Sequence, residues 1–292
     1  MEFFVALLVD GALAGVVYAL IGLAFVVVYK ASRVINFALG EWVMFGSRLV
    51  AAGPSLGLGL PGAAGLGSLG MVALAVAFNR VILRPLVGHP TISLIMVTIG
   101  FGAMLRAAAT ILFAGLPGAI ALPISPEPLA IGGLLLSRGK LVAAVVAALG
   151  VALVSALYRT RTGVALRAIA DDQQAATAVG IDIDRHLAIT WAVSGMLAAV
   201  GGTLWAFTSG GGWSLVLVGL RVFPIVIIGG LDSVPGTIVG ALCVGTLESV
   251  AAGYLDPYLG GGFSTIASYL VLLAVLFVRP YGLFGNPEIA RV

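Results

Sequence analysis

The chain has 292 residues, of which 15 are Lys or Arg and 12 are Asp or Glu. Charged residues make up 9% of the sequence and apolar residues 61%, whereas a soluble domain has about 25% charged residues. This composition excludes a soluble globular protein, which needs a charged surface, and a disordered chain, which is poor in apolar residues. It predicts an all-α fold, a polytopic helical bundle in a membrane.

Apolar runs follow one another along the whole chain, each close to the 20 residues or so that cross a bilayer as a helix. Segment 214–231 contains Arg221 and Pro224, so we expect it to be re-entrant or broken. We therefore predict eight or nine transmembrane segments in a single transmembrane domain over residues 1–292. The runs are 4–29, 35–52, 61–83, 91–114, 140–158, 187–208, 214–231, 236–253 and 264–279.

Lys and Arg predict the orientation of the spans, because they concentrate in cytoplasmic loops. With loop 159–186 in the cytoplasm, the N-terminus lies outside and the C-terminus inside. Three basic residues then fall near the outer side, namely Arg138, Lys140 and Arg221. Ten fall inside, namely Lys30, Arg33, Arg80, Arg84, Arg159, Arg161, Arg167, Arg185, Arg279 and Arg291.

The 41 glycines are about twice the usual share of roughly 7%. In membrane helices, glycine favours close packing and helix breaks. Gly11 and Gly15 have the spacing of a packing motif, as do Gly236 and Gly240, which Gly245 continues. We expect breaks at 36–46 and at 229–240. Such a chain is more often a transporter or channel than a simple anchor.

One long polar stretch, 159–186, interrupts the apolar runs. Asp171 and Asp172 suit a helix N-terminus, since the helix dipole favours negative charge there, and Gly180 suits a helix end. We therefore predict one short cytoplasmic helix, which is either a solvated linker or a coupling helix that transmits movement from a motor subunit. The small apolar face of this helix would comprise Ala175, Ala176 and Val179.

Several motifs in this chain resemble those of one known family. The segment Asp172-Gln-Gln-Ala-Ala-Thr-Ala-Val-Gly-Ile181 is similar to the coupling-loop motif of ABC importer permeases, in the form found in branched-chain amino acid permeases of the LivH type. Other segments agree with that family in order, and the similarity covers about residues 11–285. These segments are 15–20, 34–41, 98–100, 228–236 and 279–285.

The resemblance implies one permease subunit of an importer in a bacterial cytoplasmic membrane. Its partners would be a second related permease of the LivM type or a second copy, two cytoplasmic ATPases that use ATP and Mg²⁺, an extracytoplasmic solute-binding protein, and membrane lipid. The substrates would be branched-chain or related amino acids, or small amides, urea or aromatic acids. The residues coupled to the ATPase would be Asp171, Asp172, Ala175, Ala176, Val179, Gly180 and Ile181.

Charged side chains inside spans are costly and are functional candidates by default. Asn36 and Glu41 either line a translocation path, hold a broken helix, or lock helices together. Arg106 is expected to make an interhelical or subunit contact, and Glu248 is a candidate partner for a buried pair with it. Arg48 and Arg221, nearer the outer face, are expected to contact lipid in preference to a binding protein. The path candidates are Asn36, Glu41, Thr98, Arg106 and Glu248.

The sequence lacks the motifs of an enzyme or a cofactor protein. The only Gly-Lys pair, at Gly139, is followed by Leu141 and not by the Ser or Thr of a phosphate loop. Cys243 is alone, and His89 and His186 have no second ligand at metal spacing. Basic residues are spread along the chain, which argues against nucleic acid. The alternative to an importer subunit is an autonomous, ion-coupled transporter or channel for a small polar solute.

Overall fold

A computed structural model describes residues 1–86, 88–125, 127–131 and 133–285. Among these described residues, each of the nine predicted apolar runs forms an α-helix, and three shorter α-helices lie between them. The helices are α1 Glu2–Ser32, α2 Leu39–Ala51, α3 Leu60–Ala77, α4 Thr91–Leu112, α5 Arg138–Leu157, α6 Arg161–Asp171, α7 Gln173–Ala178, α8 Ile183–Ser209, α9 Leu215–Gly229, α10 Val234–Tyr254, α11 Asp256–Leu259 and α12 Phe263–Val278.

The all-α membrane bundle is confirmed, with seven helical stretches of spanning length and composition among the described residues. Helix α12 is shorter, at 16 residues. Helix α2 has 13 residues and is therefore about 20 Å long, less than the roughly 30 Å of a hydrocarbon core. Two of the nine runs thus form helices that are shorter than a typical span. Segment 214–231, expected to be re-entrant or broken, instead forms a helical stretch over Gly212–Gly229.

Helix α1 is the centre of the bundle. Its residues from Val17 to Val28 are all buried, because α5, α8, α9 and α10 pack around it. Its contacts with α10 pair Gly11 with Gly245 and Gly15 with Ala241, so the two helices run antiparallel. A Cβ atom added to Gly245 would lie 2.5 Å from the carbonyl oxygen of Gly11. The predicted glycine motifs therefore do mark a close helix contact.

The chain between α1 and α2 is a break buried inside the bundle. Arg33 has a left-handed backbone with φ of 55°, which ends α1. Asn36 accepts a hydrogen bond from the Ala38 N–H through Oδ1 at 3.1 Å, and the Phe37 N–H donates to Thr98 Oγ1 at 3.3 Å. Non-helical backbone at membrane depth persists only where protein or water satisfies it. These side chains satisfy part of it here, and the break precedes Leu39, where α2 begins.

Two further features connect the helices. A turn at 230–233 joins α9 to α10, with Ser233 accepting a hydrogen bond from the Gly236 N–H at 3.0 Å. The loop between α4 and α5 contains strands β1 Leu129–Ile131 and β2 Leu134–Leu136, which pair antiparallel with Leu129 opposite Leu136. The sequence did not predict this hairpin.

Candidate functional site

The coupling segment, residues 159–186, contains two helices and not one. Asp172 separates them with an extended backbone, and its Oδ1 accepts hydrogen bonds from the N–H groups of Gln174 at 2.8 Å and Ala175 at 2.9 Å. It is thus the N-cap of α7, which satisfies backbone donors that a helix start leaves free. Asp171 is instead the last residue of α6. Gly180 has φ of 84° and ends the motif, as predicted.

Only part of the predicted apolar face of α7 is available to a partner. Ala175 is exposed, and Val179 is 77% exposed. Ala176 is only 3% exposed, and its carbonyl accepts a hydrogen bond from the Ile181 N–H at 3.0 Å. The expectation that Ala176 forms part of the exposed face is therefore wrong, because this side of the short helix packs onto its own chain.

The coupling segment lies at the end of the bundle that gathers most of the predicted inner basic residues. Arg167 donates a hydrogen bond to the Tyr158 carbonyl at 2.5 Å. Lys30 donates to the Asp232 carbonyl at 2.9 Å and lies 5.6 Å from the centre of the Tyr158 ring. Arg84 forms an ion pair with Asp184. The C-terminal ends of α1 and α5 and the N-terminal end of α8 therefore meet here.

A second group of polar residues joins α2 to α4 at membrane depth. Glu41 and Arg106 form an ion pair, with the Glu41 side chain 10% exposed and the Arg106 side chain 54% exposed. This pair opens onto a recess of about 550 Å³, the Arg106 recess, whose other lining residues are Phe37, Ile99, Ala103, Ala107 and Thr110. Thr98 is fully buried behind it. Asn36 is 1% exposed, and neither of these two lines the recess.

A third group joins α1, α9, α10 and α12. Glu248 accepts hydrogen bonds from the hydroxyls of Tyr18 and Ser268, each at 2.8 Å. Arg221 donates to the Tyr18 hydroxyl oxygen at 3.1 Å and lies 3.6 Å from Glu248. The suggested pair of Glu248 with Arg106 is therefore wrong, as is the expected lipid contact of Arg221. Both Arg residues pair instead with the acid that the helix packing brings nearest.

Three members of this group, Tyr18, Arg221 and Glu248, line a cavity of about 600 Å³, the Arg221 cavity. Tyr18 lies near the middle of the 31-residue α1, and Trp205 stacks on it with ring centres 4.7 Å apart. From there the cavity extends past Gly11 to Leu7 and to the hydroxyl-bearing Ser264. It therefore reaches from mid-membrane depth towards the end of the bundle opposite the coupling segment.

The rim of the Arg221 cavity is fixed by short polar contacts. Asp10 forms an ion pair with Lys140 at 2.6 Å. Asp256 accepts hydrogen bonds from the Ser264 N–H at 2.8 Å and the Ser264 hydroxyl at 3.1 Å. The backbone hydrogen bond of Ser264 holds the pKa of the Asp256 carboxyl below its usual value. The Asp256–Ser264 contacts keep the start of α12 beside the end of α10, and the Asp10–Lys140 pair ties α1 to α5.

Arg48 also differs from expectation. Its side chain is buried, with the residue 6% exposed, and it donates hydrogen bonds to the carbonyls of Leu116 at 3.0 Å and Pro117 at 3.2 Å. Its guanidinium lies 5.6 Å from the centre of the Trp213 ring. The expected lipid contact is wrong, because Arg48 ties the loop after α4 to α2 and to the start of α9.

Sequence reasoning missed Tyr18, Ser268 and Trp205. A signal existed for Tyr18, since it is a polar aromatic residue in an otherwise apolar run and lies inside the motif at 15–20. Such residues need a hydrogen-bond partner when buried. Within the described ranges, no group of three His, Cys, Asp or Glu residues is placed to hold a metal ion.

Comparison with known proteins identifies the family to which this chain belongs. A family model described as the permease component of branched-chain amino acid transport systems matches residues 7–279. The high-affinity branched-chain amino acid transport system permease protein LivH of Salmonella typhimurium is 28% identical over 310 residues, which cover 99% of this chain and 98% of LivH. The corresponding protein BraD of Pseudomonas aeruginosa is 29% identical over 306 residues, 98% of this chain and 97% of BraD.

Among solved structures, a match is PsaBC from Streptococcus pneumoniae in complex with Fab. It is 18% identical, covers 96% of this chain and 93% of its own, and has a TM-score of 0.47. That score is too low to support any conclusion about function.

Proposed function

This chain belongs to the family of permease components of branched-chain amino acid transport systems, and we propose that it forms one half of an ATP-driven import path for branched-chain or related amino acids. As a member of that family it is a multi-pass membrane permease and not an enzyme. ATP and Mg²⁺ are bound by partner ATPases. A solute-binding protein delivers the substrate on the opposite side of the membrane.

The coupling segment carries this proposal. Helix α7 is capped at Asp172, and Ala175 within it and Val179 at its C-terminal end are exposed on the outside of the chain. Three residues after Val179, Asp182 caps α8 by accepting a hydrogen bond from the Arg185 N–H at 3.0 Å. Helix α8 packs against α1, α2 and α3. A displacement of α7 by an ATPase would therefore reach the centre of the bundle through one continuous 27-residue helix.

The position of the coupling segment also gives the orientation of the chain in the membrane. The ATPases act in the cytoplasm, so the coupling segment and the basic residues around it lie inside. The N-terminus is then outside and the C-terminus inside a bacterial cytoplasmic membrane. The Arg221 cavity extends towards the outer end, where the binding protein docks. The Lys and Arg distribution supports this orientation independently.

The partner permease covers the Arg106 recess in this proposal. A guanidinium at membrane depth is costly unless protein or water surrounds it. The Arg106 side chain is 54% exposed despite its pair with Glu41. A second permease, either a related chain or a second copy, would cover it along α4, and the two chains would enclose the path between them.

The ion-coupled alternative has less support. A proton- or ion-driven carrier needs acidic side chains in the membrane that can change charge. Asp10, Glu41 and Glu248 are each already paired with a cation, Lys140, Arg106 and Arg221 respectively. Such ion pairs suit a fixed structural or binding role.

A cell experiment separates the two driving forces. The chain is expressed with its ATPase, second-permease and binding-protein partners in cells that lack other leucine uptake systems. We expect leucine uptake that stops when arsenate depletes ATP and persists when an uncoupler collapses the proton gradient. Uptake with the opposite sensitivities, or uptake by the chain without its partners, would contradict the proposal.

A further inference from the structure

The guanidinium of Arg221 has hydrogen-bond donors that the described part of the chain does not use. Arginine carries five N–H donors in a fixed planar fork. Within the described part of the chain, Arg221 makes one hydrogen bond, to Tyr18 at 3.1 Å, and its closest approach to Glu248 is 3.6 Å. Its side chain is 35% exposed, while that of Glu248 is 11% exposed. Arg221 therefore faces the cavity with most of its donors available.

Glu248 is held in place but keeps acceptor capacity. One carboxylate oxygen accepts from Tyr18 and the other from Ser268. An ionised carboxylate has about four acceptor directions in all, so each oxygen can accept a second bond. The cavity thus presents a positive and a negative group a few ångströms apart, and their charges balance in the absence of a solute.

The rest of the cavity combines apolar walls with mid-membrane depth. Leu217 and Val218 of α9 and Ala14 of α1 line it beside Trp205. Its volume of about 600 Å³ falls in the range of small-molecule sites. Transporter sites near the bilayer midplane commonly recognise charged groups of a solute with fixed polar groups there.

We propose that the Arg221 cavity binds the transported solute, an aliphatic α-amino acid. Arg221 receives the carboxylate through its planar fork, the geometry that favours bidentate carboxylate recognition. Glu248 accepts from the ammonium group, and the aliphatic side chain packs on the wall formed by Leu217 and Val218. Tyr18 and Ser268 are positioning residues that fix Glu248 between α1 and α12. This inference rests on the proposed import function.

The competing explanation is a purely structural ion pair that locks α9 to α10. The two explanations differ in a charge-neutral double variant, Arg221→Gln with Glu248→Gln. A structural pair tolerates removal of both charges together, so uptake should then recover relative to the single variants. A binding site loses its recognition groups in the double variant, so uptake should stay low.

The test uses the complete complex in proteoliposomes with saturating binding protein and labelled leucine. We expect Arg221→Gln to lower leucine carried per ATP by about tenfold or more, the scale of a lost charge-assisted hydrogen bond. Arg221→Lys should give an intermediate loss, since it keeps the charge but not the fork. Tyr269→Phe is the matched control, because its hydroxyl donates to the Leu220 carbonyl next to Arg221 but does not line the cavity.

A binding measurement gives a second readout that does not depend on transport. Leucine should quench the fluorescence of Trp205 in the complex without binding protein, a signal identified by its absence in Trp205→Phe. Leucinamide, which lacks the carboxylate, should bind at least about tenfold more weakly than leucine, as expected for loss of the Arg221 contact. In Arg221→Gln the two compounds should bind alike.

The outcomes separate the two proposals. If wild-type complex takes up no leucine with ATP, the proposed function fails. If uptake occurs and the double variant carries leucine as well as wild type does, only the Arg221 site is wrong. Equal binding of leucine and leucinamide to the wild-type complex would also overturn it. Should Arg221→Gln fail to assemble, Arg221→Lys and the double variant still decide the question.

Discussion

Glu41 and Arg106 form an ion pair that ties the short helix α2 to α4, with the carboxylate nearly buried and the guanidinium half exposed at membrane depth. This difference in exposure gives the two residues different roles. Glu41 neutralises Arg106 within the chain, while Arg106 offers its outer side to whatever covers α4. The pair therefore connects the broken second span to the surface that we assign to the partner permease.

Removing the charge of the buried partner, Glu41, should weaken both the fold of the chain and its assembly with the second permease. Glu41→Gln leaves Arg106 without its counter-ion and should lower the free energy of unfolding by about 1 to 2 kcal/mol, a value reduced because the guanidinium is solvated. Unfolding in detergent and co-purification of the second permease measure the two effects. Glu41→Arg with Arg106→Glu should recover part of both. Unchanged assembly and uptake in Glu41→Gln would remove any charge-dependent role for the pair.

The exposed face of α7 should be required for ATPase binding. Ala175→Arg and Val179→Arg introduce bulk and charge on a surface that is open in the isolated chain, so the bundle should fold normally while ATPase co-purification falls at least about tenfold, as expected when an interface anchor is lost. Tyr258→Arg is the control, since Tyr258 is 87% exposed in α11, at the opposite end of the bundle. Val179→Arg that still co-purifies the ATPases at the wild-type level would count against this surface.

Ala176 should respond differently from its neighbours. Because it is 3% exposed, Ala176→Arg forces a large charged side chain against the segment's own packing. We expect loss of the local structure of α7, seen as faster proteolysis within 159–186, and not a selective loss of docking.

The contact of α1 with α10 should tolerate no added side chain. A methyl group at Gly245 would lie 2.5 Å from the Gly11 carbonyl oxygen, so Gly245→Ala should destabilise the bundle by about 1 to 3 kcal/mol through overpacking. Gly65→Ala in α3 is the matched control, because nothing lies within 4 Å of a Cβ atom there. It should be neutral or slightly stabilising, since alanine favours the helix. Equal thermal unfolding of the two variants would show that the helices are not in contact.

The orientation can be read by cysteine labelling, because Cys243 is the single native cysteine. In a Cys243→Ser background, Tyr258→Cys should react with a membrane-impermeant maleimide in intact cells. Val179→Cys should react only after the membrane is opened. The positive-inside distribution is the physical basis of this expectation. The reverse labelling pattern would place the coupling segment outside and overturn the topology.

The sequence predicted the features that are determined by residues close to one another along the chain. Apolar runs of helical length gave all nine bundle helices, and the polar stretch at 159–186 gave the coupling segment. The spacing of Gly11 and Gly15 marked a real packing surface, because close helix approach requires small residues. Gly180 ended the motif as expected, with φ of 84°.

Features that depend on helix arrangement could not be predicted in this way. Arg106 pairs with Glu41 and Arg221 with Glu248, a choice made by which helices touch. The burial of Ala176 has the same origin, since a six-residue helix shows no periodicity that distinguishes its inner side. Helix α2 is shorter than the predicted run because the run at 35–52 includes the non-helical residues before Leu39.

In the proposed function, this chain forms one half of the transport path, and partner ATPases drive transport through α7. The most direct measurement is leucine uptake into proteoliposomes by the complete complex, with and without ATP, for wild type and Val179→Arg. We expect ATP-dependent uptake by wild type and its loss in Val179→Arg, with the chain itself still folded. ATP-independent uptake by the chain alone, or wild-type uptake rates in Val179→Arg, would contradict it.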